Sequence, residues 1–142
     1  MNQLKFIVSG EPQGKGRPRF SKVGNYVKAR TPDNTILYEN LIKIEYRNQC
    51  GAFMFPQGVP LSLDVKAYYS IPQSKSKKQQ ALMREEKVLP TKKPDWDNIG
   101  KVVADSLNKV AYYDDAQVVN ARVRKFYSDT PRVEITTSEV DL

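Results

Sequence analysis

The chain contains no histidine. That absence excludes a Ser-His-Asp triad, a Cys-His pair, every histidine metal site and the usual neutral-pH general base. Polar chemistry here must run on carboxylates, on lysine, or on a metal held by oxygen ligands. Oxygen donors suit hard cations such as Mg²⁺ and Mn²⁺. Cysteine occurs once, at Cys50. One cysteine excludes an intramolecular disulfide and agrees with a reducing cytoplasm; as a small core residue, it has no other role in this reading. No apolar run approaches the roughly 18 residues that a membrane span requires. The opening MNQLKFIVSG lacks both the basic and the apolar region of a secretory signal. The expectation is a cytoplasmic protein without a membrane partner.

What is present fits one domain over residues 1–142. Hydrophobic content of 39% and aromatic content of 10% argue for a folded chain. The formal net charge is +7, which suggests an acidic partner such as nucleic acid.

Leu4–Val8 is β-prone, and Gly10–Gly24 reads as a loop rich in Gly, Pro, Lys and Arg. Tyr26–Arg30 predicts a short strand. Thr31-Pro32-Asp33 predicts a helix start, with Thr31 as cap, and the helix runs to about Asn48 on Ile36, Leu37, Leu41, Ile42, Ile44 and Tyr46. Gly51, Pro56, Gly58 and Pro60 mark turns. Leu61–Ser70 alternates as a half-buried strand. Ser74–Lys87 reads as an exposed basic helix, and Leu89–Pro94 as a linker. Ile99, Val102, Val103, Leu107 and Val110 predict a second amphipathic helix whose start Asp95 or Asp97 can cap. Val118–Tyr127 and Val133–Thr137 are β-rich and are expected to pair as a hairpin around Ser128-Asp129-Thr130-Pro131. The interleaving predicts an α+β fold, a mixed β-sheet with helices packed on one face.

Aspartates recur from PDWDNIGK through Asp105 to Asp114-Asp115. Asp95 and Asp97 are two residues apart, so on a strand or at a helix start their carboxylates can converge. Close carboxylates repel unless a cation neutralises them. Asp97, Lys101 and Asp105 step by four along one helix face. An i,i+4 salt-bridge ladder is one reading of them, and for Asp105 it is the preferred one. Asp114-Asp115 precedes a strand, where a turn explains a pair of aspartates as well as a metal site does.

Lys15, Arg17, Arg19, Lys22, Lys28 and Arg30 lie in 16 residues without an acid, interleaved with Phe20 and Tyr26. Lys75, Lys77, Lys78, Lys92 and Lys93 belong to a second basic cluster, diluted by Glu85 and Glu86. Such density serves phosphate contacts, with aromatics available to stack on bases. Cations flanking an acidic centre are what a nuclease requires.

KKPDWDNIGKVVADSLNKVAYYDDAQVV resembles the signature of the RusA-type Holliday junction resolvases, endodeoxyribonucleases common in bacteria and their prophages. Asp95, Asp97, Asn98, Lys101, Asp105, Ser106, Asp114, Asp115, Gln117 and Val118 occupy the positions of that pattern. GEPQGKGRPRF and RTPDNTILYENLIK also resemble a Gram-positive or phage branch. The resemblance implies an α+β homodimer that cleaves four-way DNA junctions by paired nicks, dependent on Mg²⁺ with Mn²⁺ able to substitute. It implies Asp95, Asp97 and Asp115 as metal ligands and catalytic residues, and Lys101 as the catalytic lysine. Asp114, Asp105 and Asn98 are left in supporting roles. Trp96 departs from the aliphatic residue more usual between the two aspartates, with an expected effect on packing. The alternatives are a metal-dependent nuclease for other branched or single-stranded DNA, and a non-catalytic DNA-binding module.

Overall fold

The computed structural model describes residues 3–16, 19–30 and 32–140; the side chains of Arg19, Ser21, Val23 and Arg30 also lie outside the description. The expected cap Thr31 and the basic Arg17 therefore fall outside the described residues. Along the chain come β1 (Gln3–Ser9), β2 (Arg19–Val23), β3 (Tyr26–Arg30), α1 (Asp33–Cys50), β4 (Leu61–Ser70), α2 (Lys77–Arg84) and α3 (Trp96–Leu107). A 3₁₀ turn (Asp115–Gln117), β5 (Val118–Ser128) and β6 (Arg132–Glu139) complete the order.

The main sheet is mixed and runs β1-β6-β4-β5. β6 pairs antiparallel with β1 and with β4, and β4 pairs parallel with β5. The expected hairpin of β5 with β6 is therefore not formed. β4 lies between them, and the Ser128–Pro131 segment passes from the edge strand back to the interior. Burial explains the exchange. Val133, Ile135 and Thr137 are buried on β6 and give it a central place, whereas the first half of β5 is largely exposed. Arg132 fixes the exit from the connection through Ser128 Oγ (3.1 Å) and Thr130 O (2.8 Å), and Arg84 Nε meets Asp129 at 2.7 Å. A parallel β4–β5 pair needs a crossover connection, which α2 and α3 supply.

The alternation of β4 is realised residue by residue. Leu61, Leu63, Val65, Ala67 and Tyr69 are buried, and the residues between them are half-buried. Their face shares one core with Tyr38, Ile42 and Tyr46 of α1 and with Ile99, Val102, Val103 and Leu107 of α3. Each large side chain so buried contributes about 1.5–3 kcal/mol. This is the α+β arrangement that the residue pattern predicts.

Three local expectations need correction. Arg19–Val23, read as loop, pairs with β3 through a two-residue turn, with Gly24 at a positive φ of 61° as glycine readily adopts. The basic helix starts later, at Lys77, because Ser76 accepts from Gln79 N–H (3.2 Å) and caps it. It ends at Arg84 because Glu86 turns to a positive φ of 63°, so that Lys87 N–H reaches back to Leu82 O (2.9 Å). On α1 the buried stripe is Thr35, Tyr38, Ile42 and Tyr46, whereas Ile36, Leu37, Leu41 and Ile44 face outward.

Candidate active site

The N-cap of α3, Asp95, directly follows Pro94, whose carbonyl accepts from Tyr69 Oη at 2.7 Å. Burial, followed by the nearby charge of Asp95, pushes the Tyr69 phenol up and keeps it a donor. Asp95 occupies the N-cap position, but no side chain caps the helix, contrary to the expectation for Asp95 or Asp97. Both carboxylates are exposed, and Asp97 lies in the first turn, where the helix dipole favours an anion. Asp95 lines a cavity of about 370 Å³ that Lys15, Lys93 and Asn98 also line. Asp97 and Lys101 line a second, of about 260 Å³, between α3 and β5.

The loop before β2 is clasped onto this helix. Lys15 N–H donates to Asn98 O (2.9 Å). A Cβ on Gly14 would meet Asn98 Cβ at 2.9 Å, so only glycine fits so close to α3. The Lys15 ammonium lies 2.9 Å from Glu39 of α1 and 3.2 Å from Asp105 of α3. Burial works against its charge, but hydrogen bonds to Glu39 and Asp105 outweigh burial and raise its pKa. Lys15 is thus engaged within the fold, and Asp105 finds its counter-charge there. The i,i+4 ladder is not formed: among the described residues no ion pair joins Lys101 to Asp97 or to Asp105.

Asp114 and Asp115 form the turn that leads into β5. Asp114 accepts from Ala116 N–H (3.0 Å), and Asp115 N–H donates to Asn108 Oδ1 (3.1 Å). Gln117, a pattern position given no role by the sequence, ties this turn to the body. Its Oε1 accepts from Tyr113 and Asp114 N–H (both 3.2 Å), and its Nε2 donates to Pro56 O and Val59 O (both 3.0 Å). Its only sequence signal is a glutamine three residues after an aspartate, the capping-box spacing. Gln117→Leu removes four hydrogen bonds and takes the side-chain partner from Tyr113 N–H, Asp114 N–H and Val59 O, while Pro56 O keeps Val59 N–H (3.4 Å). The expected loss is roughly 2–5 kcal/mol in denaturant unfolding, and a loss below about 1 kcal/mol would remove the tie.

Electrostatics join this turn to α3. Burial raises the Asp115 pKa, reinforced by its hydrogen bond to Asp114 and by the charges of Asp114 and Asp105, with Lys101 opposing. Asp114 moves the other way, held down by the Ala116 N–H and by its hydrogen bond with Asp115. Asp115 is therefore short of positive charge. The donors around it are carboxylate oxygens, and a hard divalent cation is the charge that such a set lacks. Among the described residues no three Asp, Glu or Cys side chains stand close enough to enclose an ion. Asp115 is coupled to Asp105, Asp114 and Lys101, while Asp95 and Asp97 stand at the start of α3.

The basic residues divide between two places. Lys22 and Lys28 are exposed on the β2–β3 hairpin beside exposed Phe20 and Tyr26, and this hairpin is separate from the main sheet. Lys75, Lys77, Lys78, Lys92 and Lys93 are exposed around α2 and before α3. Lys92 lies over the Tyr127 ring at 5.8 Å. Among the described residues no helix is long and apolar enough to cross a membrane.

The sequence model of the family described as endodeoxyribonuclease RusA matches residues 9–138. An uncharacterized protein of Bacillus subtilis (strain 168), YqaN, is 41% identical over 142 residues, covering 99% of each chain. The crossover junction endodeoxyribonuclease rusA of Lactococcus phage r1t is 36% identical over 87 residues, covering 61% of this chain and 60% of that protein.

Proposed function

We propose that this chain, which belongs to the endodeoxyribonuclease RusA family, resolves four-way (Holliday) DNA junctions by paired nicks in opposed strands, as a step of DNA recombination and repair in the cytoplasm. The observation that carries the reading lies inside the matched span. α3 places Asp97 and Lys101 one turn apart beside a single cavity, and the turn before β5 brings Asp115 into the field of Lys101.

Asp95, Asp97 and Asp115 are assigned to hold a divalent cation, Mg²⁺ with Mn²⁺ able to substitute; the three do not enclose an ion as they stand, so binding one would draw them together. A bound cation would supply a nucleophilic water and shield the attacked phosphate. Lys101 neutralises charge that builds on the phosphate or on the leaving oxygen. Asp105, Asp114 and Asn98 support these groups: Asp105 through Lys15, Asp114 through its electrostatic coupling to Asp115, and Asn98 through the clasp.

The hairpin cations Lys22 and Lys28, with Lys75, Lys77, Lys78, Lys92 and Lys93, are assigned to phosphates along the arms of the junction. Arg17, Arg19 and Arg30 are assigned there from the sequence alone. Lys22→Ala with Lys28→Ala lowers the slope of log affinity against log salt by roughly 0.9 for each lost contact. An unchanged slope would remove the hairpin from the DNA surface.

A homodimer completes the reading, because two symmetric nicks need two sites. The outward residues Ile36, Leu37 and Ile44 of α1, from 42% to 70% exposed, are the apolar surface assigned to it.

The test is a synthetic immobile four-way junction beside linear duplex, flap and single-stranded DNA, each with and without Mg²⁺. Symmetric cleavage of the junction that requires the cation supports the proposal. Preferential cutting of flaps or single strands would move the protein to another nuclease class. Binding without cutting would leave a DNA-binding module.

A further inference from the structure

Trp96 is the sole tryptophan of the chain. The sequence assigns it a packing role, yet it is 64% exposed between the two aspartates. Trp96, Gly100 and Ala104 follow at four-residue steps and share one face of α3. That face looks onto the edge strand β5 close to Val123, where a Cβ on Gly100 would stand 3.2 Å from Val123 Cγ2. Small side chains on both elements leave an open apolar groove of about 260 Å³, floored by Leu63 and Val65 of β4. Asp97, Lys101 and Arg122 also line it.

We propose that this groove receives one unstacked nucleobase of the branched DNA, next to the phosphate that Lys101 serves, with the Trp96 indole as its stacking face. The inference rests on the junction-cutting reading and names a subsite within it. An open apolar groove with an exposed indole marks a binding site. Charge selects the occupant: whatever enters meets two cations, Lys101 and Arg122, against the one carboxylate of Asp97, on a chain of net charge +7. A nucleotide brings an apolar ring together with the anion these cations require. The apolar surface of a second copy brings no such anion. Stacking on an indole tolerates any base. A base in continuous duplex is held by pairing and by both stacking neighbours, and one at a branch point leaves the stack at lower cost. The groove thereby favours junctions over duplex.

As the sole tryptophan, Trp96 reports its own contact. Wild-type protein is titrated in EDTA with an immobile four-way junction and with linear duplex of the same sequence, while its emission is followed and binding is read in parallel by gel shift. The expected result is quenching that saturates with junction binding and is weaker with duplex. Trp96→Ala weakens junction affinity by about 5- to 100-fold, the range for one base–aromatic stack, and duplex affinity by less. Trp96→Phe retains most of it. Unchanged emission at saturated junction binding would sink the groove and leave the function standing. So would wild-type junction affinity in Trp96→Ala. An emission change that follows protein concentration without DNA would assign the groove to a second copy and overturn the inference. A protein that neither binds nor cuts any DNA would overturn the function and the groove with it.

Discussion

Asp97→Asn leaves the protein able to bind a four-way junction and unable to cut it. The side chain is exposed and makes no capping hydrogen bond. The substitution therefore gives up only the dipole interaction of the first turn, about 0.3–1 kcal/mol, and the fold survives. The amide keeps the shape of the carboxylate but loses its charge, and a neutral oxygen is a poor ligand for a hard cation. Binding should hold or tighten, since one fewer anion faces the phosphates. The measurement is cleavage of junctions labelled in each strand in turn, beside gel-shift affinity. Cutting at the wild-type rate would remove Asp97 from the site. Mixing the variant with wild type adds a second readout: dimers with one competent site leave junctions nicked once, and their absence would argue against one site per protomer.

Lys101→Ala lowers the cleavage rate by about 10²–10³, the usual cost of losing one electrostatic stabiliser of a transition state. Lys101 lies one turn beyond Asp97 and is exposed. Among the described residues it has no ion pair to lose, so stability should change little. Single-turnover cleavage at saturating protein separates the chemical step from DNA binding, which the variant should retain nearly in full. A normal single-turnover rate would make Lys101 an ordinary surface lysine.

Periodicity carried the sequence reading wherever one face of an element is buried. β4 and α3 were legible because Leu61–Tyr69 and Ile99–Leu107 repeat at periods of two and of about 3.6. β2 was not, because Gly, Pro and cations obscure a strand whose described side chains, Phe20 and Lys22, are exposed. The β5–β6 pairing failed for a different reason. A short polar connection indicates a hairpin locally, but strand order is decided by which strand has more apolar surface to bury, a property of the whole sheet. On α1 the apolar residues were counted correctly, yet a composition cannot say which of two apolar arcs faces the core. At the site, DWDNIGK and DDAQ located the acids. Neither Lys15 pairing with Asp105 nor the four bonds of Gln117 could be foreseen, since each joins segments far apart in sequence.

The clasp of Lys15 on Asn98 also works as a tether of fixed length. β2 begins at Arg19, four residues beyond Lys15, and four residues of fully extended chain reach at most about 14 Å. While the clasp holds, the foot of the basic hairpin therefore stays within about that distance of Lys15, which is bonded to the α3 backbone. If Lys22 and Lys28 hold DNA as proposed, that DNA is indexed to the start of α3 by four residues of chain and one hydrogen bond. Extra residues inserted between Gly16 and Arg19 would lengthen the ruler without touching either end.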